Sequence, residues 1–242
     1  RNPMADPGII GVSTGAALAA VSILLVFPGL SRWVPIAAFL GGCAACVLVF
    51  ILSWKNGADP VRLILSGVAV NALLGGGVSL LSLLYSDRVL LWINGSLSGK
   101  SLADVSRLLP FNAVGVLLAV GCVPYANALI LGDDTAKSLG IPVHAARICL
   151  SAVSAYLTGI SIASVGLIGF LGLIIPHVAR MLGGSNYKIL IPLSALLGAS
   201  LLVGADCAAR TAFSPTEIPV GIVMSVLGGP FFIGLLRRKG RV

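Results

Sequence analysis

The stretch RICLSAVSAYLTGISIASVGLIGFLGLIIPHVAR, residues 147 to 180, holds 32 consecutive residues between its two arginines without one Asp, Glu, Lys or Arg. That run is too long for one upright helix across a lipid hydrocarbon core and too short for two full crossings at about 20 residues each. Its second half sets Gly166, Gly169 and Gly172 at steps of three and Pro176 near the end, the pattern of a short, broken returning leg. Backbone of that kind is tolerated at membrane depth only where protein buries it. One helix here gives the chain seven crossings; a hairpin gives eight.

On either side the pattern is plainer. Gly8 to Phe27, Trp33 to Trp54, Leu63 to Ser86 and Leu108 to Gly132 are free of charged residues, and each reaches the roughly 20 residues that a bilayer requires. Two further spans follow, Ile189 to Ala205 and Ile218 to Leu236, the latter interrupted by Gly228, Gly229 and Pro230. Of the 242 residues, 57% are hydrophobic and 10% are charged, against roughly 25% charged in soluble chains. With a mean hydropathy of +1.06, a soluble domain would have no polar coat. The fold class is therefore all-α, a polytopic transmembrane helical bundle, and residues 1–242 are expected to form a single membrane domain rather than a cytosolic enzyme.

The net charge of +8 comes from 16 Lys and Arg against 8 Asp and Glu. The basic residues are spread between apolar spans and end in the tail Arg237, Arg238, Lys239 and Arg241, so orientation in the membrane explains them better than nucleic acid does. With that tail in the cytoplasm, eight spans leave 11 Lys and Arg inside and 5 outside, whereas seven leave 10 and 6. Charge favours eight only slightly.

Cys43, Cys46, Cys122, Cys149 and Cys207 all fall in apolar stretches without nearby His or carboxylate ligands, which reads as packing. Cys43 and Cys46 form a CxxC pair, but the apolar run Gly41 to Phe50 is not the setting of a redox motif. His144 and His177 lie at expected cytoplasmic ends and join no catalytic constellation. No GxxxxGK[ST] occurs, so ATP cannot be bound here through a phosphate-cradling loop. No cofactor or metal is expected, and the chain is not expected to be an enzyme. Among 30 glycines, Gly11-x-x-x-Gly15 and Gly75 to Gly77 would let helices approach closely. The opening RNPMADPG shows no initiator Met, charged n-region or cleavage site, the expectation for a fragment.

The most polar cytoplasmic stretch is LGDDTAKSLGIPVHAAR, Leu131 to Arg147. Asp133, Asp134 and Thr135 are placed to cap a short helix, and Gly140 to end it. The loop is either a solvated turn or a docking element. Ala136 and Leu139, an apolar i,i+3 pair in polar surroundings, favour a partner. At the opposite face Asp206 and Arg210 stand at i,i+4, read either as a local pair or as an outward charge for a docking protein, with Arg88, Lys100 and Arg107 as lesser candidates.

Five blocks in order, RNPMADPGIIGVSTGAAL, RLILSGVAVNALL, LGDDTAKSLGI, GLIGFLGLIIPHVARMLGG and TEIPVGIVMSVLGGPFFIGLLRR, resemble the membrane permeases of ABC importers for iron-siderophores, haem and cobalamin. The resemblance covers essentially the whole chain. It implies ten helices per subunit, of which the first two are absent here, and makes Gly166 to Arg180 a short returning helix, hence eight spans in this fragment. It also implies a second permease subunit in a homodimer, two cytoplasmic ATP-binding cassette subunits that hydrolyse the ATP, an extracytoplasmic substrate-binding protein, and a bacterial cytoplasmic membrane.

By the same resemblance Gly132, Asp133, Ala136, Leu139 and Gly140 correspond to the coupling helix that sits in the ATPase groove. Asn2 and Met4 correspond to the cytoplasmic gate, Met4 replacing a commoner Leu, and are faced by Pro60 and Val61. Family members carry hydroxyl residues at the latter pair, so here an apolar constriction that excludes water is expected instead. Arg210 corresponds to an arginine that pairs with glutamates of the binding protein. Few fixed charges in the spans imply a wide apolar pathway, with selectivity left to that protein. Haem, ferric siderophores and cobalamin pass through closely similar permeases, so the resemblance reaches the class of chelate and stops there.

Two other readings stand beside this one. An ion-coupled secondary transporter needs a midplane ion site, whereas Asp6, Asp206 and Glu217 fall at expected span ends. A truncated permease that no longer transports is the other.

Overall fold

The computed structural model describes residues 8, 11–53, 60–85, 93–212 and 217–239, with the side chains of Pro60, Phe232, Ile233 and residues 235–239 outside the description. The secondary structure is helical: α1 Val12–Val26, a 3-10 turn Pro28–Trp33, α2 Val34–Ser53, α3 Pro60–Tyr85, α4 Leu102–Gly121, α5 Val123–Leu131, α6 Asp133–Ser138, α7 Val143–Val165, α8 Leu171–Gly183, α9 Tyr187–Thr211 and α10 Val220–Lys239. Among the described residues five apolar segments are long enough to cross a membrane, Pro28–Ser53, Val61–Tyr85, Leu102–Gly121, Val143–Val165 and Tyr187–Thr211. Val12–Val26, Leu171–Gly183 and Val220–Phe231 are apolar but shorter.

The chain forms two compact units. Residues 6–90 and 101–164 make the first, residues 91–100 and 165–242 most of the second. The division falls inside the 32-residue run, at the end of α7. Residues 166–169 leave the helix there, Phe170 takes φ 64°, and α8 starts at Leu171. The run is thus two helices with a break, as its glycine spacing predicts, and Pro176 sits inside the second helix rather than at its end.

In the first unit α1 packs on α2 through small residues. A Cβ added to Gly15 would lie 2.5 Å from both the Ala45 Cβ and the Gly41 carbonyl oxygen, a separation only glycine permits. Val12, Ala16 and Ala20 of α1 and Ala38, Ala45 and Val49 of α2 are buried. Along Gly75 to Gly77 only Gly77 faces a neighbour, the Leu18 side chain at 3.1 Å, while Gly75 and Gly76 open onto space within this unit.

Leu108 to Gly132 is not one continuous helix. α4 runs from a capping box, in which the Ser101 N–H donates to the Asp104 carboxylate at 3.0 Å, to Gly121, and α5 begins afresh at Val123. Pro124 explains the break, because it has no N–H for the preceding turn and its ring crowds the carbonyl four residues back. The opposite correction applies to α10, which continues through Gly228, Gly229 and Pro230 without interruption.

The second unit is centred on Ile174, Ala205, Val220 and Met224, with Phe170, Leu171 and Leu201 packed against them. Residues 93–100 lie here as an irregular strap. The Ser96 N–H donates to the Val165 carbonyl at 2.8 Å and the Gly221 N–H to the Gly95 carbonyl at 3.4 Å. Ser98 donates to the Glu217 carboxylate. The two backbone bonds pair groups that no helix satisfies in this stretch.

Candidate functional site

The polar loop of the first unit carries the short helix α6. Gly132 stands at its start with φ 113°, and the helix α6 that follows has no side-chain cap, so Asp133 and Asp134 occupy the first turn rather than the cap position. There they oppose the positive end of the helix dipole. The C-terminus closes in a Schellman motif. Gly140, at φ 77°, donates its N–H to the Lys137 carbonyl at 2.9 Å, and Ile141 donates to Ala136 at 3.0 Å. A left-handed residue is required at that position, which is why glycine fits it.

Ala136 is 0% exposed and packs with Ala128 of α5 and Val143 of α7. The expected apolar pair therefore divides. Ala136 seats the short helix on its own unit, whereas Leu139 is 60% exposed, as is Leu131 at the end of α5. Gly132 is buried, and Asp134, Thr135, Lys137 and Ser138 are exposed.

Asp133 is held by an arginine that the sequence marked only as a boundary. One guanidinium nitrogen of Arg147, Nη2, lies 2.8 Å and 2.9 Å from the two Asp133 carboxylate oxygens. The pair joins α6 to the first turns of α7 and braces the loop across its base. A signal was present: an acid opening a short helix, a Gly-Ile-Pro turn, and a base one turn into the next helix. Lys137 lies 3.6 Å from Asp134, but both side chains are well exposed, and such a pair contributes little.

The other singled-out residues are scattered. Asn2 and Met4 lie outside the described residues, as does Arg88. Pro60 begins α3, and Val61 in its first turn is 63% exposed. Arg210, in the last turn of α9, donates through Nε to Asp206 at 2.7 Å with its side chain 43% exposed. The local pair exists, and the guanidinium still presents an open edge. Lys100 and Arg107 are exposed around the start of α4. Sequence reasoning passed over Thr14 and Asn71, which meet between α1 and α3; the signal was one amide side chain in the run SGVAVNALL. Among the described residues no group of three or more His, Cys, Asp or Glu is gathered to hold a metal ion.

Apolar helices of spanning length and a polar, tightly turned short helix define a multi-pass membrane protein. The chain belongs to the FecCD transport family, whose profile matches residues 1–238. It is similar to the Fe(3+)-citrate import system permease YfmD of Bacillus subtilis, 41% identical over 243 residues that cover 100% of this chain and 73% of the relative. The hemin transport system permease HmuU of Yersinia pestis is 41% identical over 254 residues, covering 99% of this chain and 74% of that protein. The cobalamin import system permease BtuC of Halobacterium salinarum is 40% identical over 243 residues, 99% of this chain and 65% of the relative. Among solved structures, an inward-facing metal-chelate type ABC transporter matches with a TM-score of 0.83 at 30% identity, covering 98% of this chain and 78% of that one.

Proposed function

We propose that this chain is a permease subunit of an ATP-driven importer that moves metal chelates across a bacterial cytoplasmic membrane. The observation that carries the reading is α6: a short helix with Ala136 buried beneath it, Arg147 bracing its base, and Leu131 and Leu139 left uncovered. Family membership supports it, as do relatives that import ferric citrate, hemin and cobalamin.

On this reading the five long helices and the three shorter apolar ones make eight crossings, with the basic tail and the α6 loop on the cytoplasmic side, in one permease domain. A cytoplasmic ATP-binding subunit takes the exposed face of α6, with Leu139 in its groove and Gly132, Asp133, Ala136 and Gly140 fixing the helix shape. Closure of two such subunits on ATP pulls α6 and, through it, α5 and α7. Asn2 and Met4 line a cytoplasmic gate, faced by Pro60 and Val61, which form an apolar constriction. Arg210 meets a carboxylate of an extracytoplasmic binding protein, and a second copy of the permease completes the pathway.

The test replaces Leu139 with Asp in the assembled transporter and follows ATP hydrolysis stimulated by loaded binding protein. Loss of stimulation, with the permease still at wild-type level in the membrane, is the expected result. Unchanged stimulation would remove α6 from the ATPase contact. Supplying ferric citrate, haem and cobalamin in turn to the same assembly identifies the chelate class.

A further inference from the structure

We propose that Asn71 is a positioning residue that clamps the entry turn of α1 to α3, so that the two helices tilt as one body when the cytoplasmic gate opens. The proposal rests on the gate reading for Pro60 and Val61 at the start of α3.

Asn71 uses both ends of its amide. Its Nδ2 donates to the Gly8 carbonyl at 2.6 Å, on the chain just before α1. Its Oδ1 accepts from the hydroxyl of Thr14, the third residue of α1. The same hydroxyl lies 3.1 Å from the Gly11 carbonyl, so its single hydrogen is shared between the cross-helix bond and the local one. The Gly11 N–H also donates to Gly8, at 3.2 Å. Asn71 thus completes the turn that starts α1, from a different helix.

The neighbouring residue closes the clamp sterically. Val70 is 3% exposed among Ala45 and Val49, and its Cγ1 would stand 3.3 Å from a Cβ placed on Gly11, which holds φ 79°. A side chain at position 11 would press on Val70, so glycine lets the turn sit this close to α3. Only 17% of the α3 window is buried within the chain, so few apolar contacts compete with this polar tie in holding the helix. On the spanning reading of α3, breaking these two bonds costs the amide partners that lipid does not replace. Asn71 stands ten residues beyond Val61 on one unbroken helix, about 15 Å at the usual rise. A swing of the α3 start is therefore carried directly to α1.

A tie that keeps two helices in step stops the pathway and the ATPase from cycling separately. In the assembled transporter in proteoliposomes, Asn71→Leu and Thr14→Val should each raise ATP hydrolysis without binding protein by about three-fold, the shift that one ordinary interhelical hydrogen bond gives a two-state equilibrium. Thr14→Ser, which keeps the hydroxyl, should behave as wild type, and the double variant should be no worse than either single one. Wild-type basal hydrolysis in both Asn71→Leu and Thr14→Val, or equal damage from Thr14→Ser and Thr14→Val, would overturn the proposal. Should Asn71→Leu fail to assemble, the Thr14 pair decides alone. Val61→Trp separates the gate reading: if it leaves uptake intact while Thr14→Val still uncouples, the gate assignment fails and the clamp stands.

Discussion

Gly140 carries more of the α6 geometry than any charged neighbour. Its φ of 77° lies where a side chain costs about 1–2 kcal/mol, and its N–H is half of the motif that ends the helix. Gly140→Val in the assembled transporter should lower the thermal unfolding temperature and reduce coupled hydrolysis together, read by a melting curve and an ATPase assay on one preparation. Ala136 and Leu139 should behave in opposite ways. Ala136→Leu pushes new methylenes into a site with no free surface, an overpacking cost of about 1–3 kcal/mol, and should show in stability. Leu139→Ser should leave stability unchanged and weaken affinity for the ATP-binding subunit. At Arg210, charge reversal to Glu leaves two carboxylates, 206 and 210, one turn apart. Affinity for the binding protein should fall, with the difference shrinking as salt is raised. Affinity unchanged at low salt would leave Arg210 only its Asp206 pair. The loop's existence and its closing glycine were legible at this scale. The Asp133–Arg147 brace was not, because it joins residues fourteen apart whose meeting depends on the angle between two helices.

At the scale of elements, composition predicts helices well and their interruptions unevenly. Gly166 to Phe170 breaks the long run because successive residues leave helical backbone and no turn remains to continue it. Gly228, Gly229 and Pro230 look more disruptive on paper, yet α10 passes through them, and Gly228 makes room for the Phe170 ring that packs there. Pro124 breaks a stretch whose uniform hydrophobicity hid it. The packing of α1 on α2 was legible in Gly11-x-x-x-Gly15, although Gly41, the glycine that meets it, announced itself by no motif. Gly15→Leu should force the two helices apart, since the added atoms meet backbone rather than a flexible side chain tip. Loss of assembled permease from the membrane is expected, measured by immunoblot against an unpacked control, Gly75→Leu, which should accumulate normally.

The whole molecule shows what a linear reading leaves out. Hydropathy and five sequence blocks placed the chain among multi-pass permeases, and the family match over residues 1–238 agrees. Its division into two compact units was invisible, because residues 91–100 join residues 165–242 across the intervening residues 101–164. On the function proposed above, this polypeptide forms a passive apolar pathway opened by ATP-consuming partners. The most direct measurement is uptake of ferric citrate, haem and cobalamin by proteoliposomes holding the permease alone, or the permease with its ATP-binding subunit and loaded binding protein. Concentrative uptake of one of the three is predicted only with all components and ATP present. Accumulation by the permease alone, driven by an ion gradient, would contradict it.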